Sequence, residues 1–120
     1  MDEKESEESI LKKIRETRGF VESFHRVLAK YDPETLKIYS SLWESNFKKS
    51  KLDIRTVSLI RLAVVSALRD ETAVGHSFDQ AIQNGASVDE VIEALKIAAY
   101  FSGILSLVDS MKIIEGKLEH

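Results

Sequence analysis

The chain has 120 residues, of which 43% are hydrophobic and 31% are charged, and it contains one proline and no cysteine. Its formal net charge of −3 at pH 7 offers no basic stripe for nucleic-acid phosphates, so we expect no nucleic-acid partner. The longest mainly apolar run, residues 57–68, is too short to span the roughly 30 Å hydrocarbon core of a bilayer, so we expect no membrane segment.

The absence of cysteine excludes disulfides, thiolate nucleophiles and cysteine-ligated zinc. His25 and His76 lie too far apart in sequence to form a metal motif, and we predict neither a metal nor another cofactor. The acidic N-terminus lacks the features of a secretory signal, which favours a cytoplasmic location. We interpret residues 1–8 as a flexible acidic tail, residues 9–117 as a single helical domain, and residues 118–120 as the stub of an expression tag.

The first three helices have recognisable boundaries in the sequence. The first is predicted over residues 8–17 and ends at Gly19, because glycine readily adopts the left-handed conformation that stops a helix. The second begins near residue 20. Asp32 before a proline indicates an N-cap, so a third helix is predicted over residues 33–48.

The fourth helix is predicted over residues 54–68 and is apolar nearly all round, so we expect it at the centre of the core. Arg61 interrupts this helix, and an unpaired charge there would be costly. It therefore needs a partner, either an ion pair or solvent around its guanidinium, or else a substrate carboxylate held by two hydrogen bonds. After a polar interruption at residues 69–72, the fifth helix ends on Gly85.

The last two helices complete an all-α fold. Ser87 and Glu90 form a capping box, in which each side chain bonds a free N–H at the start of the sixth helix. That helix is predicted to end at residue 101, and a seventh is predicted over residues 105–115. No alternating apolar pattern indicates a strand, so the chain is predicted to form a bundle of six or seven helices.

An ordered set of short motifs resembles a known family. It contains Leu-Asp at residues 52–53, His76 on the fifth helix, Gly-Ala-Ser at residues 85–87 and Tyr-Phe-x-Gly at residues 100–103. With Tyr-Asp-Pro-Glu at residues 31–34, this order resembles the carboxymuconolactone decarboxylase family, part of the alkylhydroperoxidase D-like superfamily. The resemblance covers most of the chain and implies a homotrimer, a hexamer or a larger ring.

The chain departs from the redox branch of that superfamily. The peroxidases carry Cys-x-x-Cys-x-x-x-His, and counting back from His76 places Arg69 and Thr72 at the cysteine positions. An alignment on the preceding helix places Asp70 and Ala73 there instead. The redox pair is missing in both registers, so thiol peroxidase activity is disfavoured. An acidic residue of the family's proton relay is also replaced, since a serine stands at position 58.

The cysteine-independent branch is decarboxylase-like, and its reference reaction removes carbon dioxide from a carboxylated muconolactone. The resemblance makes His76 the main catalytic candidate, because histidine can transfer protons near neutral pH. Glu71 is the second, either as an acid or as the residue that orients His76. Arg61, Thr72 and Tyr100 are candidates for binding a small cyclic carboxylic acid.

Each candidate also has a purely structural interpretation. The apolar stripe of the fifth helix is predicted to consist of Val74, Phe78, Ala81 and Ile82. His76 lies opposite this stripe, so it would be exposed in a monomer unless a neighbouring helix or subunit covers it. Glu71 could complement the helix dipole, and Tyr100 could be a core aromatic. His25 is interpreted as an ordinary residue of a helix surface. Three further aromatics are interpreted as packing residues: Tyr39, Trp43 and Phe47.

Two functions therefore stay open at this point. The first is a cofactor-free lyase that acts on a small cyclic carboxylic acid through His76. The second is a non-catalytic oligomeric module for binding or assembly that has lost the redox site. A homo-oligomer has independent support from residues 88–107, which carry more apolar surface than one small core can bury.

Overall fold

The computed structural model describes residues 7–119, and this part of the chain is helical without any strand. The helices are α1 (Glu7–Arg18), α2 (Ser23–Tyr31), α3 (Pro33–Phe47), α4 (Ile54–Ala67), α5 (Glu71–Gln83), α6 (Val88–Ser102) and α7 (Ile104–Leu118). The prediction of an all-α fold is confirmed. The interpreted tail lies outside the described residues except for Glu7 and Glu8, which form the first turn of α1. Of the interpreted tag stub, residue 120 also lies outside them.

The start of α2 is the boundary that differs most from prediction, because the helix begins at Ser23 rather than near residue 20. Gly19, at φ +90°, follows the end of α1. Glu22 then precedes α2, and its backbone N–H donates to Nδ1 of His25 at 3.0 Å. Glutamate and histidine take the places that serine or threonine and glutamate usually hold in a capping box. The start of α2 therefore carries no conventional capping signal in the sequence.

The helices fall into two compact units, Met1–Lys49 (unit 1, with α1 to α3) and Ser50–His120 (unit 2, with α4 to α7). The single domain over residues 9–117 stays a prediction. Unit 1 has its own apolar core, in which α2 packs against both α1 and α3. The buried apolar residues of this core are Ile10, Ile14, Ala29 and Leu36.

The interpretation of His25 as a surface residue is wrong, because its side chain is fully buried within unit 1. Its ring centroid lies 4.1 Å from that of Phe24. Burial lowers the pKa of His25 because it penalises the charged imidazolium, and the nearby Arg18 cation lowers the pKa further. Glu22 acts in the opposite direction, but the net shift is downward.

This lowered pKa predicts a loss of stability in mild acid. The unfolded chain binds a proton at His25 near pH 6.5, whereas the folded chain resists it, so the stability from neutral His25 is lost as pH falls below that value. Urea unfolding at about pH 7.5 and about pH 5.5 measures the loss. His25→Gln does not titrate and should lose less stability over this interval. An equal loss in both proteins would contradict the prediction.

In unit 2, α4 packs against α5, α6 and α7, which confirms its predicted central position within this unit. Its apolar character is not explained by burial alone, because Ile60, Val64 and Leu68 are between 49% and 72% exposed. These three residues follow one another at four-residue spacing and form a stripe on one side of the helix. The unit 2 core consists of Leu62, Val74, Phe78, Ala81, Ala86, Val91, Leu95 and Ile114.

The apolar surplus predicted for α6 and α7 is present at the corner where the two helices meet. We define the corner patch as Tyr100, Phe101, Ile104 and Leu105, which are between 57% and 84% exposed. Gly103 makes the corner, at φ +117°. Among residues 7–119, no helix has both the length and the apolar character that crossing a membrane requires.

Candidate functional site

A tight turn connects α4 to α5, the helix that carries His76. Arg69 adopts the left-handed conformation at φ 59°, and it is the one described non-glycine residue with a positive φ. Asp70 then caps α5, because its carboxylate accepts the backbone N–H of Ala73 at 3.0 Å. The turn therefore sets the direction in which α5 and His76 leave α4.

A contact with α7 holds this turn. The Nε and Nη2 atoms of Arg69 both lie 2.7 Å from Oδ2 of Asp109. A left-handed conformation costs an L-residue about 1 to 2 kcal/mol, and an ion pair at the surface offsets only part of that amount. The contact is nevertheless specific, because it ties the residue that reverses the chain to a residue on a different helix.

His76 lies on the side of α5 that faces away from the core, as predicted. The buried stripe of the helix is Val74, Phe78 and Ala81, each at most 6% exposed, whereas Ile82 is 38% exposed and does not belong to it. His76 itself is half-buried. Helical spacing places Thr72 one turn before it and Gln80 one turn after it, on the same side. We call Thr72, His76 and Gln80 the histidine face.

Arg61 of α4 reaches the histidine face, where its Nη1 donates a hydrogen bond to Oε1 of Gln80. This partner was missed, because an acidic residue or solvent was expected for a cation at this position. An amide carries no charge, so this bond satisfies one N–H group of the guanidinium as a hydrogen bond and not as an ion pair. The arrangement places the guanidinium of Arg61 against a residue that lies one helical turn after His76.

The other three candidates lie in different places. Thr72 shares the histidine face and is exposed. Glu71 is exposed too, but it lies about 140° round the helix from His76. Tyr100 is on α6 and 84% exposed, with its ring 5.0 Å from that of Phe101. The alternative interpretation of Tyr100 as a core aromatic is therefore wrong.

Ser58, which stands where the family resemblance expects an acid, has a structural role. Its side chain is 1% exposed, and Oγ accepts a hydrogen bond of 2.8 Å from Nδ2 of Asn84. Asn84 is the C-cap of α5, so this bond attaches the far end of the histidine helix to α4. Sequence reasoning missed the pair, because neither residue forms a local motif with the other.

The histidine face offers groups for proton transfer and for anion binding, but it resembles no metal site. Over residues 7–119, no cluster of three or more histidine, aspartate or glutamate side chains could hold a metal ion. An imidazole can donate or accept a proton, and a guanidinium can bind a carboxylate. A hydroxyl can both donate and accept hydrogen bonds. Together these groups suit acid-base chemistry on an anionic substrate.

Comparisons with known proteins agree in family and in fold. The model of the carboxymuconolactone decarboxylase family matches residues 33–116. The uncharacterised protein MJ1511 of Methanocaldococcus jannaschii is 28% identical over 88 residues, which cover 73% of this chain and 82% of that protein. A second uncharacterised protein of the same organism, MJ0742, is 29% identical over 97 residues, with coverage of 80% and 92%.

A solved structure is similar over nearly the whole chain. It is the crystal structure of a provisionally assigned carboxymuconolactone decarboxylase from Burkholderia xenovorans LB400, with a TM-score of 0.80 and coverage of 95% of this chain and 96% of that one. The two sequences are 22% identical, so the likeness concerns the fold. It agrees with the predicted helical bundle.

Proposed function

The chain belongs to the carboxymuconolactone decarboxylase family, and on this premise we propose that it is a cofactor-free lyase that removes carbon dioxide from a small cyclic carboxylic acid. His76 is the proposed general acid or base. The observation that carries the proposal is the hydrogen bond from Arg61 to Gln80, since it brings a guanidinium to the face that bears His76. Thiol peroxidase activity has no basis in a chain without cysteine.

The proposed reaction needs one proton and a place for one electron pair. In a carboxymuconolactone, the bond between ring carbon and carboxylate breaks, and its electron pair is taken up by the conjugated lactone carbonyl. Carbon dioxide leaves, and a ring carbon gains a proton from the imidazolium of His76. Acid-base assistance of this kind typically contributes about 10² to 10⁴-fold to the rate.

Arg61 is proposed to bind the substrate carboxylate that stays, not the one that leaves. Carbon dioxide is neutral, so a cation held against the departing carboxylate would stabilise the ground state more than the transition state. A carboxymuconolactone has a second carboxylate that keeps its charge throughout. A charge-assisted hydrogen bond to this group positions the ring without opposing the reaction.

The remaining residues of the proposed site are Thr72, Glu71 and Tyr100. The structural evidence for Thr72 is stronger than that for the other two. Thr72 shares the histidine face, so its hydroxyl is the proposed hydrogen-bond donor to the lactone. Glu71 and Tyr100 are exposed to water in a single chain. A role for either of them in binding or proton transfer requires that a second copy of the chain covers it.

Decarboxylation of a carboxymuconolactone by the purified chain tests the proposal. Conversion can be followed by ultraviolet absorbance, and the product lactone can be identified by NMR. Formation of that lactone without added metal or cofactor would support the lyase. A chain that is folded and assembled but leaves the substrate unchanged would contradict this reaction and would favour the non-catalytic module.

We also propose that the chain forms a homo-oligomer, as a trimer, a hexamer or a larger ring. Soluble monomers rarely expose contiguous apolar patches larger than a few hundred Å². The corner patch and the exposed stripe of α4 both lie in unit 2, and together they contain seven exposed apolar residues. A second copy of the chain is the proposed cover for this surface.

Sedimentation at micromolar concentration is expected to give a multiple of the 13.6 kDa chain mass. Phe101→Glu should shift the distribution towards smaller species, because a charge buried in an apolar interface is costly. Gln83→Glu is the matched control, since it adds the same charge at an exposed polar position. A wild-type chain that sediments as a 13.6 kDa monomer would contradict the proposal.

The alternative function is a non-catalytic module for binding or assembly. The same exposed apolar surface favours it, because assembly uses that surface whether or not His76 has a catalytic role. Absence of turnover in an intact oligomer would support this alternative. The cytoplasmic location and the lack of a cofactor stay predictions from the sequence.

A further inference from the structure

Unit 1 contains a cavity of about 300 Å³ that α1 and α3 line. This volume is at the lower end of the range for small-molecule sites. The charged side chains at the cavity are three cations and one anion: Lys13, Arg18, Lys37 and Glu44. None of the lining residues belongs to the histidine face, so binding at this cavity would be independent of the proposed lyase activity.

Two N–H groups at this cavity lack a hydrogen-bond acceptor among the described residues. They are Nε of Arg18 and Nε1 of the Trp43 indole, and both atoms are buried. Burying a donor without an acceptor costs the desolvation of that group, and the cost is larger for a charged group. Both residues line the cavity, so a ligand there can supply the missing acceptor once the two side chains turn towards it.

The Nη1 group of Arg18 also has poor hydrogen-bond partners. Nη1 of Arg18 lies 3.3 Å from Nε2 of His25. Because Nδ1 of His25 accepts the Glu22 N–H, the proton of the neutral imidazole must be on Nε2. Two donors therefore face each other. The oxygen of Tyr39, at 3.4 Å from Nη1, is a distant acceptor.

Two aromatic rings lie close to the guanidinium of Arg18. Its central carbon lies 5.5 Å from the ring centroid of Phe20 and 5.6 Å from that of Trp43. Stacking on a ring uses the face of the guanidinium and leaves the N–H groups at its edge available to an acceptor. Over the described residues, no carboxylate forms a salt bridge with Arg18.

We propose that this cavity is a binding site for a small carboxylate with an apolar body. The carboxylate oxygens accept hydrogen bonds from Arg18 and from the indole N–H of Trp43, which turn towards it about their side-chain bonds. The apolar body lies against Ile10 and Ile14, which also line the cavity. Lys37 forms an ion pair with Glu34, with 3.8 Å between Nζ and Oε1, but the two other cations, Lys13 and Arg18, still outnumber Glu44. This balance favours an anion over a neutral molecule.

Trp43 provides the readout, since it is the one tryptophan in the sequence. Titration of the full chain with benzoate is expected to change Trp43 fluorescence saturably. Benzyl alcohol, which has the same ring but no charge, should bind at least about tenfold more weakly. Arg18→Met should weaken benzoate binding by a similar factor, whereas Arg15→Met, on the same helix but outside the cavity, should leave it unchanged.

Several results would overturn the proposal. Equal affinity for benzyl alcohol and benzoate would show that the carboxylate is not recognised, and this comparison uses the wild-type chain alone. If inorganic phosphate binds the site as tightly as benzoate does, the apolar body contributes nothing to the affinity. Absence of saturable binding up to about 10 mM benzoate would exclude the site as described. Circular dichroism verifies that Arg18→Met is folded before its affinity is compared.

Discussion

Replacing His76 by glutamine is expected to lower kcat for decarboxylation by about 10² to 10⁴-fold. Glutamine keeps a polar side chain on the histidine face, but it cannot give a proton to carbon. KM should change much less, because the proposed carboxylate contact belongs to Arg61. Initial rates measured by ultraviolet absorbance over a range of substrate concentrations separate the two parameters.

Two further variants make this result specific. Arg61→Met should raise KM, since it removes the proposed contact with the carboxylate that stays. Glu93→Gln introduces the same amide at an exposed position of α6 and should leave both parameters unchanged. If His76→Gln turns over at the wild-type rate, the assignment of the general acid to His76 is refuted while the lyase stands.

Truncating Leu62 to alanine is expected to lower the free energy of unfolding by about 2 to 5 kcal/mol. Its side chain is fully buried in α4, at the centre of the unit 2 core. The loss combines the transfer free energy of the removed carbons with the cavity that rigid neighbouring helices leave behind. Guanidinium unfolding followed by far-ultraviolet circular dichroism measures it, at one fixed protein concentration because the stability of a self-associating protein depends on concentration.

Leu52→Ala is the control for this experiment. It makes the same truncation at a residue that is 52% exposed and precedes α4, so its cost should stay below about 1 kcal/mol. Equal costs at the two positions would contradict the described core. The same samples also test the predicted single domain, since Trp43 fluorescence follows unit 1 and circular dichroism follows all helices. Coincident midpoints would support one domain, and separate midpoints would argue against it.

The parts of the fold that could be predicted are those with signals local in the chain. Asp53 caps α4 by accepting the N–H of Thr56 at 2.8 Å, and Ser87 forms the predicted capping box with Glu90. Such signals depend on residues three positions apart, so they can be read without knowledge of tertiary structure. Glu22 and His25 use the same spacing with unusual residue types, which explains the missed start of α2.

The parts that could not be predicted depend on residues distant in sequence. Arg61 finds Gln80 on the next helix, and Ser58 finds Asn84 at the end of that helix. Nothing in the residues around His25 indicates full burial, because that depends on how α2 packs within unit 1. Propensity and periodicity describe single helices, whereas these contacts follow from the way helices pack together.

The candidate site also has features that could be predicted from the sequence and features that could not. His76 could be identified because it belongs to a family pattern, and its side of the helix followed from the spacing of its apolar neighbours. The approach of Arg61 to the histidine face could not be identified from the sequence, because Arg61 lies on another helix and bonds to Gln80. Tyr100 is 84% exposed in the single chain, and its position in the sequence does not indicate this exposure.

The turn before α5 has a consequence for the order in which the site forms during synthesis. The left-handed Arg69 is held by Asp109, forty positions later in the chain. When α5 has just left the ribosome, Asp109 has not yet been synthesised, so the turn has its conformational cost without the contact that offsets part of it. The ion pair that holds this turn can therefore form only after α7 has emerged, and we expect a chain that stalls before Asp109 to hold the turn before His76 less firmly.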